Sequence, residues 1–354
     1  MSANSERCSL LADAVRFSRD IKFGSISYET QQFNGVIDHY LRNGLLITPS
    51  SAPIIDACVE KVCRNLFLPR DHVKVFVQAS AEIQASCLSV SKRDCIVQLS
   101  SGLVNLLSED GLSFVIGHEV GHHILEHSLS HSQEQSLELM MQKRAQEISV
   151  DRVGLYCCSD ISHAMSAMIK TISGLNEKHL GLDIASFISQ TKKLTRPDEG
   201  EGHQNTHPSL LVRCRALLWF FQPEMLTSLS NGNFNFDFSV INKRVEAEMD
   251  KFVEGPINKY IDEVVQDLSM WISAEIVLAD GSFSKDEQNK FAQEFGVKNL
   301  QKLKQLLIEG NKTETIKFIK SRINDYEAKL GSIIPNSFAD RLKEIKSRLN
   351  SNYL

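Results

Sequence analysis

Residues 118 to 122 read His-Glu-Val-Gly-His, two imidazoles four positions apart with a carboxylate directly after the first. On a helix, side chains four apart share a face, so both rings can reach one ion at the about 2.0 to 2.1 Å that a zinc–nitrogen bond requires. Glu119 is then turned aside, towards a metal-activated water rather than the metal. The same stretch adds His123, His127 and His131, which would suit a plain solvated face. Against that, His118 and His122 stand among Val115, Ile116, Gly117, Val120 and Gly121, and a buried neutral imidazole needs a partner. Gly117 and Gly121 also leave room for a neighbouring backbone or a substrate to come close. The ligand reading wins on burial.

A catalytic zinc takes three protein ligands and keeps one position open for water. The metzincin arrangement would place a glycine three residues past His122 and a histidine three beyond it, but Leu125 and Ser128 stand there. Glu126 is four residues past His122, yet each four-residue step drifts about 40° around a helix, so it points away. The third ligand is therefore expected from a second helix. Arg-Ala-Gln-Glu-Ile-Ser-Val-Asp-Arg-Val-Gly, residues 144 to 154, offers Glu147 as that ligand. Asp151 follows one turn later on the same face, where it can accept the second N–H of a ligand histidine and fix its tautomer.

The pattern Arg144-x-x-Glu147-x-x-x-Asp151-x-x-Gly154, with Glu147 twenty-five residues after His122, resembles the second zinc helix of a gluzincin family. This is metallopeptidase family forty-eight, which contains HtpX and the CAAX prenyl proteases. Thr206-His207-Pro208 with Arg213 five residues on is similar to the H-P-x-x-x-x-R segment of that family. The resemblance implies that His207 and Arg213 lie beside the zinc cleft, to stabilise an oxyanion or to order the ligand helix. On their own chemistry, His207 could instead cap the next helix and Arg213 could pair with Glu147 or Asp151. His127 matches a histidine common one turn beyond the family's motif, although nothing in its chemistry needs the zinc. His123, His131, His163, His179 and His203 read as surface or capping residues.

The implied reaction is hydrolysis of protein or peptide substrates with one zinc per chain, held by His118, His122 and Glu147. Zinc brings the pKa of its water towards about 7, and Glu119 takes the proton and hands it to the leaving amine. The β-rich segment at 73 to 100 should offer an edge strand to an extended peptide. The resemblance covers about residues 70 to 220, and the family's best-known members are membrane proteins. Here the longest run without Asp, Glu, Lys or Arg is the fourteen residues Cys95 to Ser108, short of the about 20 that a spanning helix needs.

The elements that must position these residues read as an α+β fold, a mainly helical peptidase domain with a small sheet, plus an all-α C-terminal domain. Residues 1 to 70 have helical periodicity and are expected to pack on the peptidase domain at 71 to 235. Within it, VKVFVQAS, IQASCLSVS and CIVQLSSGLV read as three strands, and the motif-bearing stretch from 112 onward as a helix. Helical patterns continue to about 222, broken by a polar loop at 196 to 209. NGNFNFDFS, 231 to 239, is a composition break and the expected linker, although its three phenylalanines should pack on something. Residues 240 to 354 form the all-α domain. There Ala279-Asp280-Gly281 precedes Ser284-x-x-Glu287, a Gly turn and a capping box, and looks like the signature of TerB-like helical domains. Ile276 and Leu278 at the first and third loop positions exclude an EF-hand. An interaction or regulatory module, open to a protein partner, is the expectation for this domain.

The chain has 354 residues, 42% hydrophobic and 23% charged, an ordinary globular composition that excludes a disordered or disulfide-scaffold protein. A net charge of -5 supplies no field to collect phosphate backbones or anionic lipid, so nucleic acid is not an expected partner. Eight cysteines at irregular spacings without a C-x-x-C, and a start without an apolar segment behind basic residues, read as reduced thiols in a cytoplasmic protein. Two other readings compete with the enzyme. One is a zinc-stabilised peptide-binding or chaperone-like protein that does not cut, and the other a TerB-like scaffold with a vestigial site. A base that is not a ligand, kept beside a complete ligand set, argues for the enzyme.

Overall fold

The computed structural model describes residues 3–21, 33–127, 136–158, 160–181, 186–187, 189, 209–279, 282–310 and 312–353. The chain divides into two compact units, Met1–Gln133 with Met141–Val253, and Glu134–Met140 with Glu254–Leu354. The fold is mainly helical, with one small mixed sheet.

The first unit opens with α1 (Ala3–Val15), α2 (Phe33–Asn43) and α3 (Pro53–Asn65), with the two-residue strand β1 (Leu45–Leu46) between the last two. Strands β2 (Val73–Gln78), β3 (Ala85–Ser89) and β4 (Cys95–Ser100) complete a sheet of order β1-β2-β4-β3. β2 and β4 are parallel, and β1 and β3 flank them antiparallel. The three expected strands are present, and β1 is an addition, too short for alternation to reveal. The last of the three ends earlier than its apolar run, because Leu103 N–H donates to Ser100 Oγ and opens α4 (Ser101–Leu106). β4 lies inside the sheet, and all its residues but Gln98 are buried.

Helix α5 (Glu109–Ile124) starts where Gly111 N–H donates to Ser108 Oγ. Leu112, Phe114, Val115, Ile116 and Val120 are all buried, so α5 is apolar on most sides, as a central helix should be. It is followed by α6 (Leu137–Cys158), α7 (Ile161–Ser173), α8 (Leu210–Phe220), α9 (Pro223–Ser230) and α10 (Ser239–Met249). α5 and α6 meet at glycines. A Cβ on Gly117 would stand 2.7 Å from Cys157 Cβ, one on Gly121 3.2 Å from Val150 and Val153, and one on Gly154 2.8 Å from the Phe114 carbonyl. The main core joins Leu11 and Val15 of α1, Val59 and Val62 of α3, the sheet, α5 and Val153 of α6 in one cluster.

The boundary between the units differs from the linker expected at 231 to 239. Phe238 is buried, Phe234 and Phe236 pack against the main core, and Val245 and Met249 of α10 join Phe17, Ile148, Val212 and Ala216. The alternating phenylalanines make this stretch part of the first unit, which runs to Val253.

In the second unit the described elements are α11 (Gly255–Val277), α12 (Lys285–Phe295), α13 (Val297–Glu309), α14 (Lys312–Ile333) and α15 (Phe338–Tyr353). Leu268, Ile272, Phe291, Leu303, Ile319, Leu330, Ile345 and Leu349 form its core. Ser284 and Glu287 form a reciprocal capping box at the start of α12. Asp280 and Gly281 lie outside the described residues, as do the loop to 208, His131, His203 and His207. No described helix is long and apolar enough to cross a membrane.

Candidate metal centre

Close packing of α5 on α6 brings three of the candidate ligands together. His118 Nε2 is 3.6 Å from Glu147 Oε2, and His122 Nε2 is 3.6 Å from Glu147 Oε1. One donor atom from each of the three residues lies within 4.8 Å of the others. Tetrahedral zinc with bonds of about 2.0 to 2.2 Å sets its ligand atoms about 3.4 Å apart, so the donor set fits such an ion. Glu147 is only 5% exposed, whereas His118 and His122 are partly open, which leaves access from the histidine side.

The donor chemistry fits as well. His118 Nδ1 is 3.0 Å from Asp151 Oδ1, and His122 Nδ1 is 3.1 Å from His127 Nδ1. Each ring thus has its Nδ1 engaged and turns Nε2 towards Glu147, the arrangement that fixes tautomer and orientation in metal sites.

Arg213, reaching in from α8, donates through Nε and Nη2 to Asp151 at 2.8 and 2.6 Å, and its Nη1 stands 3.3 Å from Glu147 Oε2. Of the roles weighed for Arg213, this geometry fits ordering the ligand helix, since its donors face carboxylates. Burial opposes every charge in the cluster, and the partners decide the outcome. For Asp151, the Arg213 charge and the hydrogen bonds outweigh burial and hold its pKa below the usual value. His118 is pulled down by burial but raised overall by the Asp151 hydrogen bond and the Glu147 and Asp151 charges. His122 lacks a carboxylate on its Nδ1, and burial with the neighbouring His118 lowers it to about 3. A neutral imidazole is the form that ligates.

Glu119, half-buried on α5, is near enough to β3 for its charge to help raise the Cys87 thiol, after the Cys95 hydrogen bond and burial. The strand is tied to α5 by Ser89 Oγ, 2.8 Å from His123 Nδ1. This corrects the surface reading of His123, which is 5% exposed and lowered in pKa by burial. Its neighbour in the sequence, His122, is a candidate ligand, but the His123 face of α5 is covered by the sheet. His179 is exposed, as expected, and His163, beside Asp110, is half-buried. β3 ends the sheet order, so its outer edge pairs with no strand among the described residues.

The residue that the sequence left unassigned is His127. Helix α5 closes with Glu126 N–H on the His123 carbonyl at 3.1 Å and His127 N–H on the His122 carbonyl at 2.8 Å, with Glu126 left-handed at φ 59°. This is a Schellman closure, and it folds His127 back onto His122. The signal was the histidine's position just past the motif, but its use depends on a backbone conformation that a non-glycine residue rarely takes.

No curated protein and no solved structure matches the chain. Residues 49–143 match the model for Peptidase family M48, a span that includes α3, the β2–β4 strands, His118, Glu119 and His122, ends within α6 before Glu147, and supports a metallopeptidase hydrolase.

Proposed function

We propose that the chain is a zinc-dependent endopeptidase that holds one zinc ion through His118, His122 and Glu147 and hydrolyses peptide bonds in protein or peptide substrates. The observation that carries the reading is the convergence of those three donors beside Glu119, a carboxylate on the same helix that is not one of them. When bound, zinc supplies Lewis acidity that makes water nucleophilic near neutral pH. Glu119 takes the proton from the attacking water and delivers it to the leaving amine. Asp151 accepts from His118 Nδ1, and Arg213 keeps that carboxylate charged and in place. The outer edge of β3 offers backbone groups to an extended peptide, which gives affinity without strict side-chain demands. His207 remains part of the proposal through its sequence match alone.

The all-helical second unit is proposed as a TerB-like regulatory or interaction module, on the Ala279-Asp280-Gly281 and Ser284-x-x-Glu287 pattern together with the capping box. The cysteine usage supports a cytoplasmic setting.

The test is cleavage of a mixed peptide library by wild type and Glu119→Gln, with zinc per chain read on the same samples. The expected outcome is zinc in both and cleavage by wild type alone, the variant losing about 10² to 10⁴-fold, the usual share of a general base. Wild-type zinc without any product would favour the non-cleaving peptide-binding reading.

A further inference from the structure

The two candidate ligand histidines are braced by different parts of the chain. His118 leans on Asp151 of α6, its neighbour across the α5–α6 contact. His122 leans on His127, and the far nitrogen of that ring, Nε2, is 2.8 Å from Asp20 Oδ2. Both His127 and Asp20 are almost fully covered, with side chains 2% and 0% exposed. Asp20 is in the segment after α1, 107 residues from His127 and outside the stretch that matches the peptidase family.

The proton positions follow from the contacts. With His122 Nε2 given to a metal, its Nδ1 carries the hydrogen and donates to His127 Nδ1. His127 then carries its own hydrogen on Nε2 and donates it to Asp20 Oδ2. The chain of hydrogen bonds is consistent in only that direction, and it ends on a carboxylate. Asp20 is itself clamped. Arg16 Nη1 is 3.1 Å from Oδ2 and Gln142 Nε2 is 3.3 Å from Oδ1. Arg16 also donates to the Leu125 carbonyl at 2.9 Å, at the end of the motif helix. Glu126 is left-handed at φ 59°, a conformation strained for a non-glycine residue, and the turn it makes is what brings His127 into the line.

We propose that Asp20 is a positioning residue of the metal centre, setting the tautomer and ring orientation of His122 through His127, so that the segment after α1 is part of the metal site. The proposal rests on His118, His122 and Glu147 being the ligands. It gives the N-terminal segment a task that the motif cannot perform alone, because the motif helix ends at Ile124 and supplies no carboxylate to His122 Nδ1.

The experiment measures zinc affinity of the full chain by competition with a chromogenic chelator, and the melting midpoint of the metal-free protein. The variants are Asp20→Asn, Asp20→Glu, His127→Gln and the Asp20→Asn/His127→Gln double. Arg19→Ala is the control, because Arg19 pairs with Asp250 at 2.9 Å and anchors the same segment through that carboxylate. The expected result is a loss of about 10 to 100-fold in zinc affinity for Asp20→Asn and for His127→Gln, the range for second partners of metal ligands. The double variant should be no worse than either single one, and Asp20→Glu should recover part of the loss. Arg19→Ala should bind zinc as wild type does, whatever its midpoint. Unchanged affinity in Asp20→Asn, additive losses in the double variant, or an equal loss in Arg19→Ala would each overturn the proposal while leaving the ligand reading intact. A wild type that takes up no zinc overturns both.

Discussion

The two units of the chain treat charge in opposite ways. In the first, Arg144, Glu147, Asp151 and Arg152 of α6 are each at most 5% exposed, and Asp20 is 3% exposed. Arg152 is spent on the Val15 carbonyl, Asn242 and the Phe220 ring, and burial lowers its pKa to about 9. In the second, the pairs Arg322–Asp325, Arg341–Glu344 and Lys346–Glu327 are partly exposed and the core is apolar. Among the described residues its buried carboxylates are Glu138, which accepts from Asn336 N–H and Ser337 Oγ, and Glu254. Exposed pairs are worth about 0 to 1 kcal/mol, whereas taking a charge out of water costs several kcal/mol before its partners repay it. Replacing buried ion pairs by well-packed apolar residues is often neutral or stabilising. Buried charges of both signs, clustered on α6 in the first unit and not matched by any buried Lys or Arg among the described residues of the second, point to where the chemistry is.

The sharpest way to break the contrast is to remove one charge from the buried cluster. Asp151→Ala deletes the acceptor of His118 Nδ1 and leaves Arg213 facing Glu147 alone. Breaking a buried pair in this way costs about 3 to 5 kcal/mol, and loss of the histidine's second partner weakens zinc binding about 10 to 100-fold. Urea unfolding of the metal-free protein reads the first and chelator competition the second. Cutting Arg341–Glu344 by Arg341→Ala should cost under about 1 kcal/mol. Equal costs at the two sites would erase the contrast.

Part of the buried cluster is legible in the amino-acid sequence alone. The His118, His122 spacing and the Glu147, Asp151 spacing each encode one helix face, and a face is all that a pair of ligands on one helix needs. The mainly helical α+β architecture and the three longer strands follow from periodicity in the same way. What stayed hidden depends on contacts between distant segments. His123 has the same local surroundings as His122, and only the cover of Ser89 and the sheet makes one structural while the other faces Glu147. Asp20 and His127 meet because Glu126 turns left-handed, and propensity argues against that turn. The Asn-rich 231–239 stretch has the composition of a linker, but alternate phenylalanines fasten it to the core.

A subtler perturbation of the first unit leaves every charge in place. Gly154→Ala would put a Cβ 2.8 Å from the Phe114 carbonyl and 2.9 Å from its ring. A backbone atom cannot yield cheaply, so α6 must shift on α5, at about 1 to 3 kcal/mol. The same shift moves Glu147 relative to His118 and His122, so zinc affinity should fall together with the melting midpoint. A variant that loses stability but binds zinc as wild type does would show that the ligand geometry does not depend on that glycine contact.

A small effect is also expected in the second unit at Ser284, of the same order as that at Arg341. Its Oγ accepts from Glu287 N–H at 3.2 Å, and Glu287 Oε2 accepts from Ser284 N–H at 2.7 Å. Ser284→Ala removes one side of that exchange at an exposed helix start, worth about 1 kcal/mol for a Ser cap. A unit of this size loses about 4 to 8 °C in melting midpoint per kcal/mol, so calorimetry resolves the change. Zinc uptake should stay as in wild type, since both partners of Ser284 in the box belong to Glu287. A cost of 3 kcal/mol or more, on the order of a broken buried pair, would mean that the second unit also concentrates its stability in a polar site. The distribution of charge would then no longer separate the unit built for chemistry from the one built on an apolar core.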